Sequence, residues 1–399
     1  MKKHIMSVFP GFGIGGAQVR YAMLANRFAN EYSHTIVSLN GNTACREKLS
    51  EDVAVDFVDF SAHRGLSAIP GMRKFVRSID PDVLITSNWG SIEWSLAGYP
   101  HIHTEDGFGP EEEKTQLLRR VIARNILLRR AVVIVPSQTL LAIARKKWRL
   151  PEENIRYIPN GIDTKKFISR GFLADQDKKT FCWSRDDANG MAGPAWTDEN
   201  PFTIGTVATL RREKNIHRLI RVFSALSVNI RCRLIIVGDG PEKAGLEAVV
   251  GQLGLADRVT FTGHIENSSA MYREFDVFAL TSDTEQMPFS VLEAMSSGVP
   301  VVTTDVGDVR SMLTHGNHPF IYPRSDEDGM VQGLINLAEN NVLRQQIGIE
   351  NRARVESDYD MEGMFLGHRS IIDAVIQGAW VGSKLSSPRI PHSSLRVPV

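Results

Sequence analysis

Three cysteines in 399 residues, Cys45, Cys182 and Cys232, stand far apart and form no C-x-x-C pair. That excludes a disulfide framework and a cysteine-built zinc site, and it fits a reducing cytoplasm. Long apolar runs are missing as well. No segment approaches the roughly 18 residues that cross a bilayer, and the opening MKKHIMSVFPGFG is interrupted at Ser7 and ends at Pro10, too early for the core of a signal peptide. Net charge is absent: 46 Lys plus Arg balance 46 Asp plus Glu, so bulk charge selects neither nucleic acid nor a membrane as partner. What is present is the composition of a soluble globular protein, 42% apolar and 23% charged, with chain enough for two domains of about 150 to 200 residues each.

Short β-branched runs alternate with helical periodicity along the first half: HTIVSL (34–39), AVDFVDF (54–60), DVLITS (82–87), AVVIVPS (131–137) and IRYIPNG (155–161). The alternation then restarts with FTIGTVATL (202–210), CRLIIVGDG (232–240), DRVTFTG (257–263), DVFALTS (276–282) and VPVVTTD (299–305). The fold class this predicts is α/β, two doubly wound domains facing each other across a cleft, with ligands at the carboxyl ends of the strands. The predicted bounds are 1–168 for the first domain, 169–200 for a linker or insertion, and 201–360 for the second domain. A helix at 361–382 is able to pack back on the first domain, and a Ser- and Pro-rich tail at 383–399 is expected to be disordered.

Gly11, Gly13 and Gly16 in FPGFGIGGAQ satisfy G-x-G-x-x-G between a predicted strand and a predicted helix. A dinucleotide fold also needs an acid about 20 positions on, at the end of the second strand. That strand ends in SLNG, with Asn40 where Asp or Glu belongs, and VGDGP (237–241) lacks the spacing altogether. The glycines then leave two readings open, an anion-binding loop ahead of a helix N-terminus or a tight turn without ligand.

Glu285 and Glu293 stand eight apart in EQMPFSVLEAMSSGVPVV. Pro288 suits a first helical turn and Gly298 a C′ position, predicting a helix over 288–297 with Glu285 on the loop before it. A carboxylate there can accept hydrogen bonds from sugar hydroxyls, while the helix N-terminus can hold a phosphate. Asp326 and Asp328 form a D-x-D, read here as a polar helix start. The pairs His101/His103 and His315/His318 lack a third ligand, so no metal is expected.

The run from IVGDGPEKAGLEA to SVLEAMSSGVPVVTTDVGDVRSML resembles the donor-binding half of the family 4 glycosyltransferases, the retaining GT-B group. The resemblance implies that Glu285 contacts the donor sugar and Glu293 the nucleotide ribose, the two glutamates of the family's E-x₇-E. The family's G-R-L-x-x-E-K-G reads ATLRREKN (208–215), so Lys214 matches its diphosphate-binding lysine and Thr209 replaces its arginine. Arg211, two residues on, would emerge on the same face of a regular strand and reach the same phosphates. GIGGAQ is similar to the family's GGA loop, which implies that the Gly16 backbone approaches the donor diphosphate. PNGID (159–163) resembles a further family segment. HTEDGFGPEEE (103–113) occupies the acceptor-side loop, where Asp106 stands in place of a histidine common in the family and His103 lies three residues away. Either can approach the reacting centre.

Departure of a nucleoside diphosphate leaves negative charge on phosphate, which positive groups should surround. Lys214, Arg211, Gly16 N–H and the N–H groups of Phe289, Ser290 and Val291 supply them without a metal or any other cofactor. Glu285 would stabilise oxocarbenium character, and the resemblance implies that the departing phosphate deprotonates the acceptor. The expected activity is therefore retaining, metal-independent hexosyl transfer from a nucleotide sugar to a glycan or lipid-linked acceptor in cell-surface polysaccharide or glycolipid synthesis. Two alternatives fit parts of the pattern: a sugar-nucleotide epimerase of the same fold, and a non-enzymatic sugar-nucleotide-binding relic in which Thr209 and Asp106 mark lost function.

From Thr115 to Leu150 there are nine Arg or Lys and no Asp or Glu. Within this stretch 117–130 reads as a basic amphipathic helix, Leu117, Val121 and Leu128 on one side and Arg119, Arg120 and Arg124 flanking. Two readings stand: peripheral contact with anionic lipid on the inner face of the membrane, or an ordinary helix packed on the sheet by its apolar stripe. Nucleic acid is not expected, since no aromatics interleave with the cations.

Overall fold

The computed structural model describes residues 2–60, 68–108, 110–112, 115–168 and 196–378. Of the predicted linker only 196–200 is therefore described, and the predicted tail at 383–399 lies outside the described residues. The chain divides into two units, one running to Asn160 and resuming at Glu362, the other spanning Gly161–Met361. The boundary thus falls ahead of the predicted linker. Its cause is local: Ile162 bridges to Asp360, and Ile162 and Phe167 join the core of the second unit.

In the first unit the described strands are β1 (Lys3–Phe9), β2 (Tyr32–Ser38), β3 (Val55–Val58), β4 (Val83–Ser87), β5 (His101–Thr104), β6 (Val132–Val135) and β7 (Ile155–Tyr157). They form one parallel sheet in the order β3-β2-β1-β4-β5-β6-β7. Every residue of β4 and β6 is buried. Helices covering both faces of a parallel sheet explain why such strands read as continuous β-branched runs rather than alternations. The predicted runs mark the strands but overshoot most of their ends, and the run at 34–39 starts two residues inside β2. β5 was not foreseen, because HIHT is short and mostly polar. From Glu362 on, the helix Met361–Ile376 belongs to this unit, where Lys3 Nζ donates to Asp373 at 2.7 Å and Phe365 meets Phe28 edge to face.

The second unit holds β8 (Phe202–Val207), β9 (Cys232–Val237), β10 (Val259–Gly263), β11 (Val277–Leu280), β12 (Val301–Thr304) and β13 (Ile321–Tyr322). Their order is β10-β9-β8-β11-β12-β13. Counted from its own first strand this is 3-2-1-4-5-6, the doubly wound order, and the first unit repeats it with one strand added. Alternate strand residues feed two cores. Ile204, Leu234, Ile236, Val277 and Ala279 enter one, Ile235, Val237, Phe278 and Leu280 the other, as the two-residue period of a strand requires. Among the described residues no helix is long and apolar enough to cross a membrane.

Candidate functional site

In a doubly wound sheet, ligands bind beyond the carboxyl ends of the strands where the order reverses. In the second unit the reversal lies between β8 and β11, and the loops leaving them are 208–215 and 281–288. These loops carry Arg211, Lys214 and Glu285. Lys214 Nζ lies 2.5 Å from Glu285 Oε1, and the Ser282 hydroxyl donates to the same oxygen at 2.7 Å. Both charged side chains are partly exposed, 24% and 10% respectively, so the pair is reachable from solvent.

The loops are tied together behind the pair. Asn215 Nδ2 donates to Asp283 Oδ2 at 3.0 Å, the Asp283 amide donates to the Glu213 carbonyl at 2.8 Å, and Arg218 donates to the Thr281 carbonyl at 2.7 Å while pairing with Asp283. Asn215 has φ 43° and caps the helix Ile216–Leu226 by accepting from the Arg218 amide. The family pattern has glycine at this position, and asparagine is the commonest substitute for glycine in the left-handed region. The sequence reading passed over Asn215; its signal was that one departure from the pattern.

Thr209 and Arg211 do not share the face of a regular strand. β8 ends at Val207, and Arg211 instead opens the turn Arg212–Lys214 with an exposed side chain. Past β8 the Ala208 carbonyl abuts Gly238, φ 133°, where a Cβ would sit 1.9 Å away. VGDGP, dismissed as a nucleotide signature, is thus the floor under the Lys214 loop. Gly307 does the same for the other loop: at φ 53° it faces the Glu285 carbonyl, 2.4 Å from where a Cβ would lie.

The predicted helix over 288–297 is observed as Phe289–Ser296, with Pro288 at the N-cap rather than in the first turn, and Gly298 at φ 69° just beyond Ser297. Phe289 and Ser290 are partly exposed at its start. Val291 is corrected: its side chain is wholly buried and its amide donates to the Pro288 carbonyl at 3.2 Å, leaving no free N–H for a phosphate. Glu293 lies one turn in, where the Tyr272 hydroxyl donates to Oε2 at 2.6 Å. Burial pushes the Glu293 carboxyl above the usual range, against the opposing effects of Tyr272 and the Lys166 charge.

In the first unit the order reverses between β1 and β4. The glycine loop after β1 is a packed turn: a Cβ on Gly11 would lie 2.5 Å from the Asn40 amide, and the Phe12 amide donates to the Asn42 carbonyl at 2.8 Å. Asn40, standing where a dinucleotide fold needs an acid, accepts from Ser38 Oγ and the Asn42 amide. Gly16 is exposed at the first position of the helix Gly16–Arg27.

Asp106 follows β5. Its Oδ1 lies 2.6 Å from Arg20, which also donates to Asn160 Oδ1 of the PNGID segment at 2.9 Å, and its amide donates to Asn88. Asp106 Oδ2 is buried without a partner. His103 is placed differently. It is fully buried, with Nδ1 bonded to Thr86 Oγ1 at 2.8 Å and Nε2 3.5 Å from Glu105. A ring with no exposed surface cannot meet an acceptor, so of the two side chains only Asp106, 13% exposed, reaches the surface of this unit.

The predicted lipid-facing arginines are also corrected in part. Arg124, on the helix Leu118–Leu127, is wholly buried, donating to Glu105 at 3.1 Å and pairing with Glu112 at 3.1 Å, with the rings of Trp89, Phe108 and Trp148 about it at 5.0, 5.3 and 5.0 Å. Arg120 pairs with Glu111 and Glu112. Burial alone would raise the Glu112 carboxyl, but Arg124, Arg120 and the Leu117 amide together hold it below the usual range. Of the three, only Arg119 is exposed. Val121, Leu127 and Leu128 do pack on the core, as the ordinary-helix reading expects.

Among the described residues no cluster of His, Cys, Asp and Glu has metal-binding form. Asp326 of the D-x-D caps the helix Glu327–Glu339 by accepting from the Gly329 amide at 2.9 Å, and His318 is bonded to the Arg310 carbonyl.

Two family models match the chain: Glycosyltransferase Family 4 over residues 14–166 and Glycosyl transferases group 1 over residues 195–354. A curated relative, the N-acetyl-alpha-D-glucosaminyl L-malate synthase of Bacillus anthracis, is 26% identical over 57% of this chain and 55% of its own length. The chain thus spans about half the length of that relative. An Escherichia coli UDP-Gal:alpha-D-GlcNAc-diphosphoundecaprenol alpha-1,3-galactosyltransferase is 23% identical over 76% of this chain and 81% of its own. Among solved structures, Anabaena HepE in complex with UDP superposes with a TM-score of 0.73 at 19% identity, covering 94% of this chain and all of that one. Sucrose-phosphate synthase from Thermosynechococcus elongatus gives 0.74 at 18%, with coverage of 94% and 100%. The fold is that of these GT-B proteins. None of these names supports the epimerase or the binding-relic alternative.

Proposed function

The chain belongs to the family 4 glycosyltransferases, and we propose that it is a retaining hexosyltransferase, moving a hexosyl unit from a nucleotide-diphosphate sugar to a glycan or lipid-linked acceptor. The product on this reading is a cell-surface polysaccharide or glycolipid. The observation that carries it is the convergence of Lys214 and Glu285 at the strand-order reversal of the second unit, 2.5 Å apart and open to solvent.

In the reaction, the bond from the anomeric carbon to the diphosphate breaks, a new bond forms to an acceptor oxygen, and the acceptor proton passes to the departing phosphate. Lys214 and Arg211 neutralise that phosphate, aided by the amides of Phe289 and Ser290 at the helix start. No metal enters this reading. Glu285 orients the sugar hydroxyls and opposes the positive charge that develops at the anomeric carbon, and Glu293 holds the ribose. Gly16 and Asp106 are the first unit's candidates for donor and acceptor contact. Nucleotide sugars and the inner leaflet meet in the cytoplasm, which is where this chemistry belongs.

UDP is the first nucleotide to try, since UDP is bound in HepE and the E. coli relative is named for UDP-Gal. Thermal stabilisation of the purified protein should appear with one nucleoside diphosphate family and vanish in Lys214→Ala. Stabilisation by NAD or NADP alone would overturn the reading. For an active donor and acceptor pair, proton NMR of the product should show the donor's anomeric configuration, and EDTA should leave the rate unchanged.

A further inference from the structure

Asn88, directly after β4, has φ 58° and ψ 177°. Asp80 and Asn215 also have positive φ, but with ψ of 58° and 51° they lie in the left-handed helical region that Asp and Asn adopt readily. The conformation of Asn88 is one that essentially only glycine adopts without strain, and such strain persists only where the surroundings impose it. Here they do. The Asn88 amide donates to the Thr104 carbonyl at 2.8 Å. The buried Ser91 hydroxyl accepts from the Ser87 amide at 2.8 Å and faces the Ser87 and Asn88 carbonyls at 2.7 and 3.3 Å.

The residue secured in this way is Asp106. Asn88 Oδ1 accepts from the Asp106 amide at 2.8 Å, while Arg20 lies 2.6 Å from the carboxylate Oδ1 of Asp106. β4 borders the strand-order reversal of the first unit, where ligands of such sheets gather. A second connection joins the same two residues through the core. The Arg124 guanidinium lies over the ring of Trp89, next to Asn88, at 5.0 Å and donates to Glu105, next to Asp106, at 3.1 Å. Asn88 and Asp106 thus close a ring, each anchored through its neighbour on one buried cation. Gly107, φ 149°, turns the chain away immediately after Asp106. Glycine at position 88 would follow the same backbone path without strain. What asparagine adds is a side chain whose oxygen meets Asp106.

We infer that Asn88 is a positioning residue for the acceptor side of the transfer. Its strained backbone aims the side-chain oxygen at the Asp106 amide and so sets the Asp106 carboxylate against the hydroxyl, of sugar or of water, that attacks the donor. Arg20 fixes the same carboxylate from the other side. This rests on the transferase reading and adds to it a residue outside the donor-binding pattern, one at which the chain accepts local strain in return for reaction geometry.

The test measures release of nucleoside diphosphate from UDP-glucose, UDP-galactose, UDP-N-acetylglucosamine and GDP-mannose by the full chain, with octyl glycosides of the same sugars as acceptors and with water alone. Asn88→Gly should lower turnover at least about tenfold, leave the donor KM within about twofold and keep the melting temperature within about 3 °C, since glycine adopts this conformation freely. In an Asp106→Asn background, which keeps an oxygen for Arg20, the same change should alter turnover by less than about twofold, as expected of residues acting through one another. Asn88→Asp keeps an oxygen for the Asp106 amide and should retain most of the turnover. Undiminished turnover in Asn88→Gly, an equal loss in the Asp106→Asn background, or a loss in Asn88→Asp as deep as in Asn88→Gly would overturn the inference. So would a lower melting temperature with turnover per folded molecule intact, which would make Asn88 a fold anchor alone. If the wild type releases nothing from any of the four donors, the transferase reading fails and this inference with it, whereas equal turnover by the wild type and every Asn88 variant removes Asn88 alone.

Discussion

Lys214 and Glu285, 71 residues apart in the chain, form an ion pair of 2.5 Å that Ser282 completes by donating to the same carboxylate oxygen. In the proposed reaction each has a different partner, phosphate for the lysine and sugar for the glutamate. On that reading, the pair holds both side chains at the site until the donor takes them up. Removing either should therefore have a distinguishable effect. Lys214→Ala should weaken nucleoside diphosphate binding by roughly 10- to 100-fold, the value of one charge-assisted hydrogen bond, read by isothermal titration. Glu285→Gln should lower turnover by about 100-fold with a smaller change in donor affinity, and undiminished turnover would remove Glu285 from the chemistry.

Gly238 and Gly307 carry no functional group, yet each supports one of the two loops. Gly238→Ala would set a Cβ 1.9 Å from the Ala208 carbonyl at φ 133°, and Gly307→Ala one 2.4 Å from the Glu285 carbonyl at φ 53°. Each should destabilise the second unit by about 2 kcal/mol or more in urea denaturation. Gly307→Ala should also weaken donor binding; unaltered affinity would mean the Glu285 loop does not depend on it.

Arg124 is a buried cation between two buried carboxylates. Arg124→Met leaves Glu105 and Glu112 without it and should destabilise by about 3 to 5 kcal/mol. Adding Glu105→Gln and Glu112→Gln should recover part of that loss, because neutral amides are cheaper to bury than orphaned charges. Urea denaturation of the single and triple variants decides the matter: equal losses would show that packing of the long side chain, and not its charge, is what counts.

Three histidines of the first unit are buried in their neutral form. Burial lowers His101 and His368 to about 3 and His34 to about 4, with the His103 ring, the Arg20 guanidinium, and His4 with Lys2 adding to the respective shifts. The unfolded chain binds these protons near the ordinary value of 6.5 and the folded chain does not. Stability is therefore greatest above pH 6.5 and falls as pH drops toward 4, by up to about 1.4 kcal/mol per pH unit for each histidine. Both ring nitrogens of His368 lack partners, so His368→Leu should cost little at pH 7.5 and reduce the loss between pH 7.5 and 5. An unchanged acid slope, measured by urea titration at the two pH values, would show that His368 does not titrate on unfolding.

Much of this was legible in the sequence because it is local. Buried parallel strands must be apolar on both faces, so VVIV and VLIT announced themselves, and Pro288 with Gly298 bracketed a helix to within a residue at each end. β5 and β13 were not legible, being four and two residues long and held by their neighbours in the sheet. Arg211 reads as a strand-face residue because nothing in TVATLRREK marks the end of β8 at Val207, after which the chain turns at Arg212–Lys214. The arginines of LLRRVIARNILLRR read as solvent-exposed since their partners, Glu105, Glu111 and Glu112, precede the helix in a loop whose path the sequence does not disclose.

The sequence by itself determined the two doubly wound sheets, the loops that carry the candidate site, and the residue types on them, since hydrophobic period and turn chemistry act over a few residues. Only the tertiary structure decided which side chains meet. It paired Lys214 with Glu285, buried His103 and left Asp106 at the surface on Arg20. It also turned Arg124 inward while leaving Leu118, Ile122 and Ile126 in water. Each of these depends on contacts between segments distant in the chain, where burial and charge pairing, rather than local propensity, fix what a residue can touch.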